Sequence, residues 1–204
     1  MIADDIARIV RRIVREVMSD DPVHGWPHVE RVRAIALEIA KAYEGVDVEA
    51  LEVAALLHDI ARNGVRSGDH ALRSAEVARQ ILELAGWPEE RIDKVVDAIL
   101  AHSYSAGREP TTLEGEILSD ADKIDALGAI GVARALMYGG AIGRGLEETL
   151  EHMKSKLLRL PSLMRTEVGK KTAEERVKYV EEFIEQLEAE LAWLRERGKG
   201  SSDI

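Results

Sequence analysis

Hydrophobic residues recur every three or four positions along most of the chain, which is the spacing of amphipathic helices. The first stripe consists of Ile2, Ile6, Ile9, Val10, Ile13, Val14 and Val17. It ends before the turn-forming sequence Ser19-Asp20-Asp21-Pro22. The sequence contains no useful stretch with a period of two and no internal repeat. The pattern therefore predicts an all-α fold, either a helical bundle or an orthogonal helical array.

Capping residues and prolines divide the rest of the pattern into further helices. Their predicted starts are Pro27, Asp47, Asp69, Pro88, Thr111 and Thr172. Gly86 ends the fourth helix and His102 the fifth, with a loop from Ser103 to Pro110. Thr111 with Glu114, and Thr172 with Glu175, have the spacing of capping boxes.

The segment Gly139–Gly145 contains four glycines and interrupts the helical pattern, so it is predicted to be a lid or hinge. Because it follows a helix and not a strand, it does not indicate a dinucleotide or P-loop motif. Helices are predicted at about 146–160 and 172–197, followed by a disordered tail over 199–204. The length suits one domain over 1–198, with a core at about 21–138 and a C-terminal helical extension at about 146–197.

The overall charge restricts the classes of partner. The formal net charge is -10, so the field of the protein repels phosphate backbones and argues against binding of nucleic acid polymers. An anionic substrate therefore requires a local basic pocket. The chain has no cysteine, which removes disulfides and thiolate chemistry. Its N-terminus lacks the apolar stretch of a signal peptide or membrane span, so we expect a cytoplasmic protein without a membrane partner.

The pair His58-Asp59 places two ionisable groups in the apolar run Leu56-Leu57-His58-Asp59-Ile60. Burying both without partners would cost several kcal/mol. Neighbouring residues on a helix point about 100° apart, so both can reach one metal ion only in a groove between two helices. The alternative is a core histidine bonded to a backbone carbonyl, with Asp59 turned to solvent.

Two other histidines lie at predicted helix ends. His28 begins the second helix, and Pro27 breaks the geometry between it and His24, so these two are not a one-face helical metal pair. A simple N-terminal capping histidine is the alternative for His28. His102 ends the fifth helix and points inward near a rim, which suits a supporting or catalytic role at a site, or else a core position.

The sequence Ser119-Asp120-Ala121-Asp122-Lys123-Ile124-Asp125 places three carboxylates on one predicted helix. Such a cluster is commonly a solvated acidic face. Asp120 and Asp122 lie about 200° apart on a helix, so at most one of them can face a given metal ion. Helical geometry does not choose between them.

Taken in order, these segments resemble the HD superfamily of metal-dependent phosphohydrolases, in particular its small single-domain bacterial and archaeal members. The strings that carry the resemblance are His24-Gly25-Trp26-Pro27-His28-Val29-Glu30-Arg31-Val32, Leu57-His58-Asp59-Ile60, Ala101-His102-Ser103 and Asp120-Ala121-Asp122-Lys123-Ile124-Asp125-Ala126-Leu127-Gly128. The resemblance implies the all-helical HD fold. It also implies a metal held by His28, His58, Asp59 and Asp122, with Asp120 in support.

The same resemblance implies the other roles. Arg31 and Lys123 would hold phosphate. His24, His70 and His102 would orient water, protonate the leaving group or hold a second metal. Mn²⁺ is favoured, with Mg²⁺, Co²⁺, Ni²⁺, Zn²⁺ or Fe²⁺ as alternatives. A divalent ion at such a site acidifies water and screens phosphate charge, so hydrolysis needs no protein nucleophile.

The expected substrate is a small phosphorylated metabolite, foremost a nucleoside triphosphate cleaved to monophosphate and pyrophosphate. Three alternatives remain open: a nucleoside monophosphate phosphatase, a non-catalytic metal- and nucleotide-sensing module, and a helical interaction protein. In the third case the apolar stripe of the final helix would pair with another subunit, as in a homodimer. That stripe consists of Val177, Val180, Phe183, Ile184, Leu187, Leu191 and Leu194.

Overall fold

The computed structural model describes residues 6–62, 70–103 and 107–199, which form helices joined by short connections and contain no strand. The helices are α1 Ile6–Val17, α2 Trp26–Ala40, α3 Val48–Leu57, α4 His70–Leu84, α5 Glu89–His102, α6 Leu113–Asp125, α7 Gly128–Ala141, α8 Leu146–Lys156, a 3-10 helix Leu157–Leu163 and α9 Glu167–Lys199. The predicted all-α class is confirmed. Ile2, the predicted helix start at Asp69 and the predicted tail beyond Lys199 lie outside the described residues.

The centre of the fold is α3, whose sequence is apolar on nearly every side. Seven of its ten residues are buried. A helix that is apolar all round must be surrounded, and α3 packs against α1, α2, α5 and α6. Each fully buried leucine contributes roughly 1.5–3 kcal/mol. The C-terminus of α3 is thereby fixed beside the first turn of α2 and the middle of α6, where the histidines and aspartates of the predicted site lie.

The C-terminal helices pack on the outer side of α6. The long helix α9 contacts α6, α7, α8 and the 3-10 helix. Val180 and Ile184 of its apolar stripe are buried in this packing and Leu187 is partly buried, whereas Trp193 and Leu194 are exposed. Most of the stripe predicted for subunit pairing is therefore used within the chain. No helix in the described ranges is both long and apolar enough to span a membrane.

The capping-box prediction for α6 is wrong by one residue. Thr112 is the N-cap, and its hydroxyl accepts a hydrogen bond from the Gly115 amide at 3.1 Å. The Thr111 amide instead donates to Asp97 Oδ2 at 3.0 Å, and Glu114 accepts from the Asp47 amide at 2.7 Å. This bond links Glu114 of α6 to the residue that precedes α3, because the Asp47 amide has no backbone partner there.

The predicted start of the last helix at Thr172 is also wrong, because α9 begins at Glu167. Thr172 lies in its second turn and donates its hydroxyl proton to the Val168 carbonyl at 2.8 Å. The amides of Arg165 and Thr166, just before α9, both donate to the Asp120 carboxylate at 2.8 Å. A tertiary contact from α6 therefore fixes this helix start, and local sequence does not contain that information.

Two of the glycines in the predicted lid are helical, because α7 continues to Ala141 through Gly139 and Gly140. A Cβ atom on Gly139 would lie 2.4 Å from Thr149 Oγ1, so this glycine permits close packing of α7 on α8. The turn itself is short, and Gly143 within it has a φ of +75°. The predicted interruption of the helix at Gly139 is therefore wrong, because the break begins only after Ala141.

Candidate metal centre

Two helix ends bring His28, His58 and Asp59 together in the interior. His58 caps the C-terminus of α3 and does not lie within the helix as predicted, and Asp59 follows it. His28 lies in the first turn of α2. All three side chains are buried. Their ligand-type atoms lie within 4.8 Å of one another, an arrangement that could hold a metal ion.

Hydrogen bonds fix the tautomers of both imidazoles. His58 Nδ1 donates to the Ala55 carbonyl at 2.7 Å, and His28 Nδ1 donates to Asp125 Oδ2 at 2.7 Å. Because those oxygens only accept, each Nδ1 carries the proton and each Nε2 presents a lone pair. The two Nε2 atoms are 3.3 Å apart. Two facing lone pairs in a buried site repel each other unless a proton or a metal ion lies between them, and neutral imidazole is a ligand for most transition metals.

The carboxylates complete a mixed nitrogen and oxygen donor set. Asp59 Oδ2 lies 3.8 Å and 3.9 Å from the Nε2 atoms of His28 and His58, and Asp122 Oδ1 lies 3.4 Å from His28 Nε2. Asp59 Oδ1 is buried and has no hydrogen-bond partner within the described residues. An orphaned buried carboxylate oxygen is costly unless a cation binds it. The residues present therefore fit a divalent metal ion.

Asp59 also belongs to a second group of potential ligands, formed with His70 and His102. His70 Nε2 and His102 Nε2 lie 3.6 Å and 3.8 Å from Asp59 Oδ1. Burial alone would raise the pKa of Asp59, but the neighbouring His58, His102 and Arg62 hold that pKa well below its ordinary value. The carboxylate is therefore ionised, and its two oxygens face two different histidine pairs.

The two candidate aspartates of α6 point to different parts of the protein. Asp122 faces His28 and lines the cavity described below. Asp120 is fully buried on the opposite side, where it accepts from the Thr166 hydroxyl at 2.7 Å in addition to the two amides before α9. The structure thus brings Asp122 to the metal ligands and places Asp120 at the junction of α6 with α9.

Asp125 is a site residue to which the sequence reasoning gave no role. Its buried carboxylate holds His28 Nδ1 and accepts from Arg31 Nε at 2.7 Å and from Arg134 Nη1 at 2.9 Å. It follows Asp122 by three positions and therefore lies on the same face of α6, which is the signal that could have found it. Arg31, predicted to bind phosphate, is instead paired through two nitrogens with Asp125.

Replacing Asp125 with asparagine is expected to weaken metal binding about 10- to 100-fold, the usual cost of losing a partner that orients a metal-bound histidine. The amide cannot hold His28 and two arginines as an anion does. Calorimetric titration with Mn²⁺ measures the change. Glu30→Gln is the control, because Glu30 neighbours Arg31 in the sequence but forms an exposed ion pair with Arg11. Equal affinity of both variants would refute the orienting role.

A cavity of about 290 Å³ opens over this cluster between α6, α7 and α8. Asp122, His24 and His70 line it, and the described residues of its wall include five Lys and Arg side chains: Arg62, Lys123, Arg134, Arg144 and Lys156. Buried Arg62 Nε and Arg144 Nη1 have no hydrogen-bond partner among the described residues. These donors give the cavity the local positive charge that an anionic substrate requires.

Two predicted residues in this wall have distinct surroundings. Lys123 Nζ donates to the Ser119 carbonyl at 3.0 Å, and burial lowers the pKa of Lys123. His24 stands edge-on to Tyr138, with ring centroids 5.8 Å apart. Burial, assisted by Arg62 and Arg134, lowers the pKa of His24 to about 3. The His24 imidazole is therefore neutral at pH 7 and can accept a hydrogen bond from water.

The HD domain model matches residues 25–127, a segment that contains every residue of the metal cluster. The chain belongs to the HD domain family, and the resemblance read from the motifs is confirmed. The matched segment ends before α7, so Arg134, Arg144 and Lys156 come from outside it. Sequence reasoning missed these three cations and Arg62 because no motif marks them.

The chain is 34% identical over 194 residues to the uncharacterized protein YpgQ of Bacillus subtilis, covering 91% of this chain and 93% of YpgQ. The structure of YpgQ in complex with ADP matches with a TM-score of 0.78, covering 93% of this chain and 97% of that one. A predicted HD superfamily hydrolase from an uncultured Thermotogales bacterium is 36% identical, with a TM-score of 0.67, and the match covers 90% of this chain and 92% of that protein.

Proposed function

We propose that this protein is a metal-dependent phosphohydrolase that cleaves a nucleoside triphosphate to the monophosphate and pyrophosphate. The observation that carries the proposal is the position of the metal ligands beneath a cavity with five cationic side chains. The metal ligands alone would suit many hydrolytic reactions. The cationic side chains alone could bind many different anions. Their combination suits the hydrolysis of a phosphoanhydride.

His28, His58, Asp59 and Asp122 are the proposed metal ligands, and Mn²⁺ is the proposed ion. When bound, a divalent ion supplies Lewis-acid polarisation of a phosphate oxygen and acidification of a water molecule. The chain contributes orientation: Asp125 and the Ala55 carbonyl hold the two imidazoles with Nε2 facing inward. Asp120 serves this arrangement only indirectly, by fixing α6 against the start of α9.

The phosphate groups are assigned to the cations of the cavity wall. Arg62 lies next to the metal cluster, since its Nη1 is 3.4 Å from Asp59 Oδ2. Arg144 and Lys156 lie at the two ends of α8. Several cations spread over one wall of the cavity can bind a chain of two or three phosphate groups better than they can bind a single phosphate group. The ADP complex of YpgQ supports a nucleotide as the ligand. Lys123 contributes positive charge beside Asp122, whereas Arg31 holds Asp125.

Proton handling is assigned to the histidines that surround the metal ligands. His24 is neutral and lines the cavity, so it is placed to accept a hydrogen bond from the attacking water. Burial would lower the pKa of His102, but the nearby carboxylates of Asp59 and Asp122 raise the pKa above the ordinary value. A protonated His102 can donate. His70 lies beside Asp59 in the same group as His102, and it could bind either a second metal ion or the substrate.

The direct test is a panel of nucleotides and other phosphorylated metabolites, assayed with metal-depleted protein and with single divalent metals, with product masses determined. EDTA should abolish turnover, and Mn²⁺ should restore it with monophosphate and pyrophosphate as products. Full activity after verified metal removal would exclude the proposal. Release of phosphate from monophosphates alone would favour a phosphatase, and tight nucleotide binding without any product would favour a sensor.

A further inference from the structure

Arg134 of α7 is buried, and all three nitrogens of its guanidinium have partners within the protein. Nε and Nη2 donate to the Val23 carbonyl at 3.0 Å and 2.6 Å, and Nη1 lies 2.9 Å from Asp125 Oδ2. The charge of Arg134 adds to the field of the cavity that it lines. Its nitrogens, however, are already engaged in joining the turn before α2 to α6.

The Val23 carbonyl belongs to the same planar peptide unit as the His24 amide. Arg134 binds the oxygen of this unit, and the His24 amide donates to Asp21 Oδ2 at 2.9 Å. Because the unit is rigid, these two bonds fix the orientation of the backbone from which the His24 side chain departs. The bond from Arg134 is the one that refers this orientation to another helix.

Helix α7 also contacts the imidazole ring of His24. Tyr138 follows Arg134 by four positions, so the two side chains lie on the same face of the helix. The Tyr138 ring stands edge-on to the His24 ring, with centroids 5.8 Å apart. One face of α7 therefore holds His24 twice, at the backbone through Arg134 and at the ring through Tyr138.

The other partner of Arg134 orients a proposed metal ligand. Asp125 Oδ2, which Arg134 approaches, also accepts from His28 Nδ1 at 2.7 Å. One guanidinium thus connects the support of His28 with the backbone of His24. A displacement of about 1 Å between reacting groups can cost roughly 100-fold in rate, so a fixed distance between the metal ligands and a water-binding imidazole matters for hydrolysis.

We propose that Arg134 is a positioning residue, which fixes His24 relative to the metal ligands while Tyr138 holds the imidazole ring. Its effect on rate rests on the proposed function, in which His24 accepts a hydrogen bond from the attacking water. The geometry can be tested without turnover. Arg134 and Tyr138 come from α7, beyond the matched HD segment, whereas the side chains that they place lie at its start or within it.

Arg134→Lys keeps the positive charge but replaces the guanidinium fork with a single ammonium, which cannot hold the Val23 carbonyl and Asp125 in the same geometry. At saturating Mn²⁺, kcat should fall roughly 10- to 100-fold, and KM for the triphosphate should change less than about threefold. Arg33→Lys is the matched control, because Arg33 joins α2 to Glu52 of α3 and does not line the cavity. A raised KM with unchanged kcat would identify Arg134 as a phosphate ligand and overturn the proposal.

A double-mutant cycle separates positioning of His24 from a general loosening of the fold. In the His24→Ala background, Arg134→Lys should lower kcat less than about threefold, because the group that Arg134 positions is gone. Losses that multiply, as they do for independent sites, would overturn the proposal. Circular dichroism confirms that each variant is folded.

The closing experiment locates His24 by NMR of the full chain with isotope-labelled histidine and tyrosine. Zn²⁺ replaces Mn²⁺ because it is diamagnetic and binds imidazole. The wild-type chain and Arg33→Lys should show a nuclear Overhauser effect between the rings of His24 and Tyr138, and Arg134→Lys should lose it. His24→Ala assigns the signal. A wild-type chain without this contact, or an Arg134→Lys chain that keeps it at full strength, would overturn the proposal. Absence of wild-type turnover would contradict the proposed hydrolysis alone, since the ring contact decides the positioning role by itself.

Discussion

Asp122→Ala is expected to lose metal binding together with nearly all activity. Asp122 Oδ1 lies 3.4 Å from His28 Nε2, and alanine provides no oxygen in its place. Loss of a metal ligand weakens binding of the ion, and with it both the polarisation of the phosphate and the acidification of water. We expect kcat/KM to fall on the order of a thousandfold or more, which corresponds to about 4 kcal/mol of transition-state stabilisation. Mn²⁺ titration and the pyrophosphate-release assay measure the two losses separately.

Asp120→Ala is the matched comparison, because it removes a carboxylate two positions away on the opposite side of α6. It should keep normal Mn²⁺ affinity and lose thermal stability. The amides of Arg165 and Thr166 would lose their acceptor, and each buried donor left without a partner costs about 1–3 kcal/mol. If Asp120→Ala loses the metal and Asp122→Ala retains it, the ligand assignment in α6 is wrong.

Local patterns predicted most of the fold because its helices are strongly amphipathic or wholly apolar. The helix starts that were predicted wrongly are fixed by hydrogen bonds to side chains far away in the sequence. Thr112 caps α6 because Asp97 takes the Thr111 amide, and α9 begins before Thr172 because Asp120 accepts the amides that precede it. A side chain that comes from 14 or more positions away cannot be recognised in a capping pattern.

In the candidate site too, residues marked by a local sequence pattern were predicted, whereas residues placed there by tertiary packing were not. His58-Asp59 is conspicuous in the sequence because two ionisable groups interrupt an apolar run, and the structure buries both. Helical geometry left the choice between Asp120 and Asp122 open, and the family resemblance favoured Asp122. The tertiary placement of α6 puts Asp122 beside His28 and Asp120 beside the start of α9. Arg144 and Lys156 carry no signal in their own sequence neighbourhood. The net charge indicated that an anionic substrate would need a local basic pocket, but not which cations form it.

The cations contributed by the region beyond the matched HD segment should control affinity for the phosphate chain. Arg144→Met and Lys156→Met each remove one charge from the cavity wall. A hydrogen bond to a charged group contributes about 1.5–3 kcal/mol, so each variant should raise KM for the triphosphate roughly 10- to 100-fold. Nucleoside monophosphates offer fewer phosphates to this wall, so their binding should weaken less.

Lys154→Met is the matched control for these two variants. Lys154 also lies on α8, but it pairs with Glu188 of α9 and is not among the residues that line the cavity. Its replacement should leave KM unchanged, and all three variants should keep wild-type Mn²⁺ affinity because no metal ligand is altered. Because ADP is bound in the YpgQ complex, calorimetric titration with ADP tests the binding step without turnover. Unchanged ADP affinity in both Arg144→Met and Lys156→Met would show that the phosphates bind elsewhere. A loss of equal size in Lys154→Met would mean that the charge of α8 acts at long range and not through contact with the phosphates.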